Sequence, residues 1–216
     1  MGARAGIGHP CSIPGRDRRR SNLMSILLAL LAFLLQTPAP APPQQAAAGN
    51  PVVVIETSEG VITAELFKDR APVSVENFLH YVADGHYAGT TWHRVVPGYV
   101  IQGGGYTPEL VEKGVRPPIQ NEATNGLSNR RGTFAMARTR QARSATSQFY
   151  INLSNNAALD HRGFSPDDFG YAVFGRVLEG MDVVDRIGAV KTGRTREGME
   201  DVPVTPVLIK GVTEKK

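Results

Sequence analysis

Residues 92–105 read Trp-His-Arg-Val-Val-Pro-Gly-Tyr-Val-Ile-Gln-Gly-Gly-Gly, which places Arg94 inside a β-type run and follows it with Pro-Gly, an aromatic residue and a glutamine. A guanidinium is always charged and holds its donors in a rigid plane. Arg94 can therefore stabilise a developing lone pair without giving or taking a proton. The plain rival is that an arginine in a strand is ordinarily a solvated outer-face residue. Other chemistries have less to work with. There is no G-x-S-x-G nucleophile motif, the five histidines lack metal-ligand spacing, and the single cysteine is Cys11. Gly103-Gly104-Gly105 is neither a dinucleotide fingerprint nor a P-loop, and a strand-end turn accounts for it.

The elements that must position Arg94 are mostly short strands. Val52–Leu66 holds two β-rich runs around Ser58-Glu59-Gly60 and reads as a hairpin. Pro72–Asp84 has apolar residues at 75, 78, 79 and 82, Pro72 in its first turn and Gly85 as its stop, which predicts a helix. Further β-type runs lie at Thr91–Val96, Tyr99–Gln102, Gly132–Ala137, Ser147–Leu153, Tyr171–Leu178 and Val204–Val212, and a second short helix fits Met181–Ile187. Many short strands with only two helices imply an antiparallel sheet closed into a barrel, which removes exposed edges.

Residues 1–48 differ in character. They carry five arginines against one aspartate, an apolar run from Met24 to Leu35, and a Pro/Ala-rich stretch ending Ala46-Ala47-Ala48. This is the pattern of an export signal with Arg16–Arg20 as basic n-region and a small-residue cleavage site. A helix over the apolar run would rise about 18 Å, short of the roughly 30 Å of a bilayer core, so stable membrane insertion is not expected. The competing readings are a Pro/Ala-rich tail, or a start at Met24 that would remove the n-region. Arg19-Arg20 with Leu23 resembles a twin-arginine signal, and the export route stays open. Removing the segment leaves 24 − 5 = 19 basic and 20 − 1 = 19 acidic residues. The remaining domain, 49–216, is formally neutral, so a nucleic-acid surface is not expected. It has no cysteine.

Four blocks carry a family resemblance: Trp92–Gly105; Asn121–Arg138, ending Gly-Thr-Phe-Ala-Met-Ala-Arg; Ser144-Ala-Thr-Ser-Gln-Phe-Tyr-Ile-Asn152; and Leu159-Asp-His161 leading to Phe169–Asp185. In order and spacing they resemble the cyclophilins, which are peptidyl-prolyl cis/trans isomerases. Met-Ala-Arg-Thr at 136–139 and Phe-Gly-Tyr-Ala-Val-Phe at 169–174 are similar to the bacterial periplasmic branch. The resemblance implies a mainly β fold, a closed eight-stranded barrel capped by two helices. It implies isomerisation of Xaa-Pro bonds in exported proteins, a monomer in the periplasm or outside the cell, and no cofactor or metal. Arg94 would be the catalytic cation. Tyr99, Val100, Tyr150 and Leu159 would surround the proline ring, Gln102 and Gln148 would bond the peptide backbone, and His93 and Tyr171 would border the pocket. Ala137 and Arg138 would offer backbone groups to an extended substrate. Strand alternation sends His93 to the face opposite Arg94, which ranks it lower.

Each assignment has a bland counterpart: the four pocket residues could be ordinary core, and the glutamines could satisfy barrel backbone. His161 beside Asp160 reads as a loop ion pair rather than a proton relay. Against the commonest family pattern, Val100 replaces Met, tyrosines at 99 and 150 replace phenylalanines, and Tyr171 replaces a His frequent in eukaryotic members. Ala158 stands for a large aromatic beside a longer loop, 162–168, which puts tight cyclosporin A binding in doubt. The alternative function is a non-catalytic proline-peptide-binding chaperone module, which would keep the pocket and lose the cation.

Overall fold

The computed structural model describes residues 47 and 49–215. The expected export signal therefore lies outside the described residues, Ala47 excepted. The described residues belong to one compact unit.

β1 (Val52–Thr57) and β2 (Val61–Leu66) form the expected hairpin, with Ile55 opposite Ile62. Alternation buries Val53 and Ile55 from one strand and Ile62, Ala64 and Leu66 from the other. The turn closes by Thr57 N–H and Oγ1 both donating to the Gly60 carbonyl, at 2.9 and 2.7 Å. Helix α1 (Pro72–Ala83) follows the predicted span, and its apolar stripe packs Val75, Phe78 and Tyr81 inward. No side chain of its own first turn caps it. Glu122 does so from a distance, accepting from Val73 N, Ser74 N and Ser74 Oγ at 3.0, 2.8 and 2.7 Å and adding negative charge at the positive end of the helix.

The remaining strands are β3 (Thr90–Thr91), β4 (Arg94–Val96), β5 (Val100–Gly103), β6 (Thr133–Met136), β7 (Phe149–Asn152), β8 (Val173–Glu179), β9 (Thr192–Gly193), β10 (Val202–Pro203) and β11 (Leu208–Lys215). The second helix, α2 (Met181–Gly188), lies between β8 and β9. One antiparallel sheet of nine strands runs in the order β3-β11-β1-β2-β8-β6-β7-β5-β4, with β9 and β10 paired apart.

This corrects the expectation of a closed eight-stranded barrel: the sheet is a curled half-barrel whose ladder ends at β3 and β4. The physical reason lies in Thr91–Val96, expected as one strand. It breaks at Trp92-His93, because Trp92 N donates to Val207 O (2.9 Å) and Val95 N to Asp201 O (2.8 Å). The two edges of the sheet are thus successive pieces of chain, tied off by bonds to segments outside the main ladder rather than to each other.

Inside the curl an aromatic cluster centres on Phe149. Phe78 (5.3 Å, edge-on), Trp92 (5.4 Å, edge-on), Tyr87 (5.5 Å, edge-on) and Phe134 (5.8 Å, stacked) surround its ring. All five rings are essentially inaccessible, and such pairs contribute beyond area burial. Phe149→Ala is expected to cost about 3–5 kcal/mol in urea denaturation; a loss below about 1 kcal/mol would mean that the neighbouring rings repack into the gap.

Candidate functional site

Register explains how a site can sit on a wall whose other side is core. Arg94 lies opposite Gln102, Gln102 opposite Tyr150, Tyr150 opposite Ala135, and Ala135 opposite Val173. Directly opposed residues share a face, so this row crosses β4, β5, β7, β6 and β8 on one side. The adjacent row, Val95–Ile101–Ile151–Phe134, faces the aromatic core. Accordingly Val100, Ala135, Ala137, Tyr150 and Val173 form a second apolar cluster, against which Tyr99, Leu159 and Tyr171 pack. The pocket residues are not part of the main core, contrary to their bland reading.

Two cavities lie near Arg94 in sequence: one of about 350 Å³, whose lining includes Thr91, Trp92 and His93, and one of about 290 Å³ on this wall. The smaller is lined by Arg94, Tyr99, Val100, Gln102, Ala137, Arg138, Tyr150, Leu159 and Tyr171, so the structure brings together nearly every expected site residue. Gln148 is not in its lining but is tied to it, accepting from Gln102 Nε2 through Oε1 at 3.0 Å. Gly105 makes that pairing possible: a Cβ there would meet Gln148 Cγ at 2.5 Å. Gly103 is likewise pressed against the Trp92 ring, where a Cβ would meet Cε3 at 2.9 Å. The triple glycine is therefore more than a strand-end turn; it lets side chains close in from both sides.

The tyrosines are held firmly. Tyr150 Oη donates to Asn129 Oδ1 at 2.7 Å, and Asn129 donates through N and Nδ2 to Asp160 Oδ1 at 2.6 and 2.9 Å. A hydroxyl buried in an apolar wall is thereby satisfied, which accounts for Tyr rather than Phe at 150. Burial, and then the neighbouring Tyr171, push the Tyr150 and Tyr99 hydroxyls up, so both stay neutral. Leu159 ends a one-turn 3-10 helix, Ala157–Leu159, and its carbonyl accepts from Tyr171 N at 3.0 Å. Asp160 and His161 do not form the expected ion pair. Asp160 serves Asn129, and His161 Nδ1 faces the Phe169 carbonyl at 2.8 Å.

Arg138 lies 4.5 Å over the Tyr171 ring and donates to the carbonyls of Gly170, Thr139, Arg140 and Pro166. Its side chain fastens the 139–144 and 162–170 loops beside the pocket. Ala137 N–H is engaged by the Gln148 carbonyl at 3.0 Å, so a peptide on this edge would use other backbone groups of the Ala137-Arg138 pair.

Arg94 is half-exposed, and its Nη2 lies 3.5 Å from Asp201 Oδ2. Asp201 was not among the expected residues; it is far away in sequence, and nothing local in Glu-Asp-Val-Pro marks it. Asn129 was missed for the same reason. Among the described residues no group of three or more His, Cys, Asp or Glu could hold a metal ion, and no helix is long and apolar enough to cross a membrane.

β4 begins only at Arg94, so strand alternation does not reach His93, and its place is set by the break before the strand. His93 lines the larger cavity with Trp92, Pro108 and Pro203 and packs 4.6 Å from Tyr106. It is 4 % exposed, and burial, aided by the Arg94 charge, lowers its pKa to about 4. Unfolded, it would take up a proton near pH 6.5; folded, it does so only near 4. The unfolded state thus binds more protons between those values, and stability falls as pH drops from about 6.5 to 4, by about 3 kcal/mol from this residue. His93→Gln is expected to flatten that slope in urea denaturation at pH 7 and pH 4.5; an unchanged slope would assign the acid lability elsewhere.

Comparison with known proteins agrees with this geometry. The model of the family described as cyclophilin type peptidyl-prolyl cis-trans isomerase/CLD matches residues 52–214. Peptidyl-prolyl cis-trans isomerase cyp18 of Streptomyces antibioticus is 56% identical over 157 residues, covering 73% of this chain and 94% of that protein. Peptidyl-prolyl cis-trans isomerase B of Escherichia coli is 49% identical over 163 residues, 75% of this chain and 98% of that one. A cyclophilin type peptidyl-prolyl cis-trans isomerase of Cryptosporidium parvum, crystallised in the presence of the dipeptide Ala-Pro, superposes with a TM-score of 0.64 at 26% identity, covering 76% and 99% of the two chains. With these matches beside the row that sets Arg94 on the wall of a tyrosine-lined pocket, the chain belongs to the cyclophilin-type peptidyl-prolyl cis-trans isomerases.

Proposed function

We propose that the chain turns Xaa-Pro bonds of polypeptides in the cavity beside Arg94, that its clients are exported proteins, and that it works as a monomer in the periplasm or outside the cell after residues 1–48 are removed. The observation that carries the assignment of the site is Arg94 on the same face as Gln102 and Tyr150, at the rim of an apolar pocket.

The planar amide resists rotation by about 18–20 kcal/mol because its C–N bond has partial double-bond character. Twisting it localises a lone pair on the proline nitrogen, and no covalent bond breaks. A site lowers the barrier by fitting the twisted amide better than either planar form. Arg94 donates to the regained lone pair and has no such acceptor in the planar substrate. One charge-assisted hydrogen bond supplies roughly 1.5–3 kcal/mol, whereas five powers of ten in rate need roughly 7 kcal/mol. The proline ring held among Tyr99, Val100, Tyr150 and Leu159, with Gln102 and Gln148 on the backbone, supplies the difference by fixing the distorted peptide. Tyr171 and Arg138 border the pocket. His93, buried on the other side, supports the wall and does not touch the substrate.

The bacterial relatives near 50% identity support the assignment to isomerase rather than chaperone module, and the retained cation and glutamines fit it. The periplasmic reading rests on residues 1–48 and the two short blocks at 136–139 and 169–174.

In a refolding assay limited by one Xaa-Pro isomerisation, residues 49–216 are expected to accelerate the slow phase, and Arg94→Ala to lose about 10- to 10²-fold in kcat/KM while remaining folded. If neither accelerates it yet proline peptides bind, the protein is the non-catalytic module. For location, full-length chain expressed in a Gram-negative bacterium is expected in the periplasmic fraction, with a mature N-terminus near residue 49 by mass spectrometry; uncleaved protein in the cytoplasm would overturn the export reading.

A further inference from the structure

We propose that Asp201 is a positioning residue for the Arg94 guanidinium, holding it extended toward the proline pocket before substrate arrives. The inference rests on the reading of Arg94 as the catalytic cation.

Arg94 begins β4, an edge strand, and its side chain is 39% exposed. A long side chain there has many rotamers, and no ring stacks on it among the described contacts. An unrestrained guanidinium would spend much of its time away from the pocket and would lose that freedom in the transition state. Asp201 grips this position twice. Its carbonyl accepts from Val95 N at 2.8 Å, fixing the backbone next to Arg94, and its carboxylate lies 3.5 Å from Nη2. One residue thereby sets both where the strand sits and where its charged end points.

The backbone of Asp201 is itself unusual. Its φ of 59° is one of two positive values among the described non-glycine residues, a region that aspartate and asparagine tolerate better than most. It directly precedes β10, whose pairing with β9 places it, and Arg194 faces Glu200 across the same hairpin at 3.7 Å. Strain retained beside an active site is a pointer to function. The carboxylate engages Nη2 at 3.5 Å, which on this proposal leaves the other guanidinium donors for the proline nitrogen.

The test uses Asp201→Asn and Asp201→Gly in the isolated protein, since both residues accept positive φ and should fold. Both are expected to lower kcat about 2- to 5-fold with little change in KM, the range of a half-exposed ion pair. The Arg94 Nε–H, followed by ¹⁵N relaxation, is expected to become more mobile in both. Wild-type kcat in either variant would overturn the proposal, as would a lower kcat with unchanged Arg94 mobility, which would make Asp201 a structural residue only. Arg94→Ala run alongside separates the two readings: if it is fully active, the role of Arg94 itself fails; if it is inactive while the Asp201 variants match wild type, only the present inference does.

Discussion

The two-residue period of the β-strand is the constraint on which the rest of this molecule depends. Successive side chains leave opposite sides of a sheet, so β4, β5 and β7 must satisfy two environments at once. One set, Val95, Ile101 and Ile151, closes over the aromatic cluster; the other, Arg94, Gln102 and Tyr150, faces the cavity. A shift of one residue in either pairing would bury the guanidinium and expose isoleucine. The hydrophobic driving force that fixes the core register therefore also fixes the register of the candidate site, which needs no separate mechanism to assemble.

That economy has a condition. A face proposed to hold a proline ring must be apolar, so its polar groups must be satisfied internally. Tyr150, Asn129, Asp160, Asn152 and Asn156 meet it as a connected set: Asn152 Nδ2 donates to Asn129 Oδ1 at 3.3 Å, and Asn156 Nδ2 donates to Asn152 Oδ1 at 2.7 Å and to the Tyr99 carbonyl at 2.9 Å. A buried network of this kind is stable only when complete. It also ties Tyr99 and Tyr150 to one rigid frame, which suits a wall proposed to hold a distorted peptide.

Much of this was legible in the residues. The hairpin, both helices and most strands followed from period and turn chemistry, and Arg94, Tyr99, Val100, Gln102, Tyr150, Leu159 and Tyr171 line one cavity as the family resemblance implied. What could not be read has a common cause. Asp201 reaches Arg94 across more than a hundred residues, Asn129 reaches Asp160 across 31, and Glu122 caps α1 across 48. Such contacts leave no trace in local spacing. The break in Thr91–Val96 was hidden for a related reason, since Thr91, Trp92, Val95 and Val96 all favour a strand. Only the competing acceptors at Val207 and Asp201 draw the backbone away.

The break at Trp92-His93 is more than a fault in a ladder. An uninterrupted strand would pair along its whole length and leave no gap beside Arg94. Diverting Val95 N–H to Asp201 opens the edge, and the same turn of chain carries Trp92 into the core and His93 into the lining of the larger cavity rather than the Arg94 cavity. The guanidinium is thus presented at a free sheet end, where solvent and peptide can reach it, while the residues on either side anchor it to the fold. A cation placed deeper would suffer desolvation without an acceptor in the resting enzyme; one placed farther out would be screened by water. The half-exposed edge position lies between those limits, and a hydrogen bond of a few kcal/mol made only with the twisted amide is strongest where the surrounding wall is already rigid and dry.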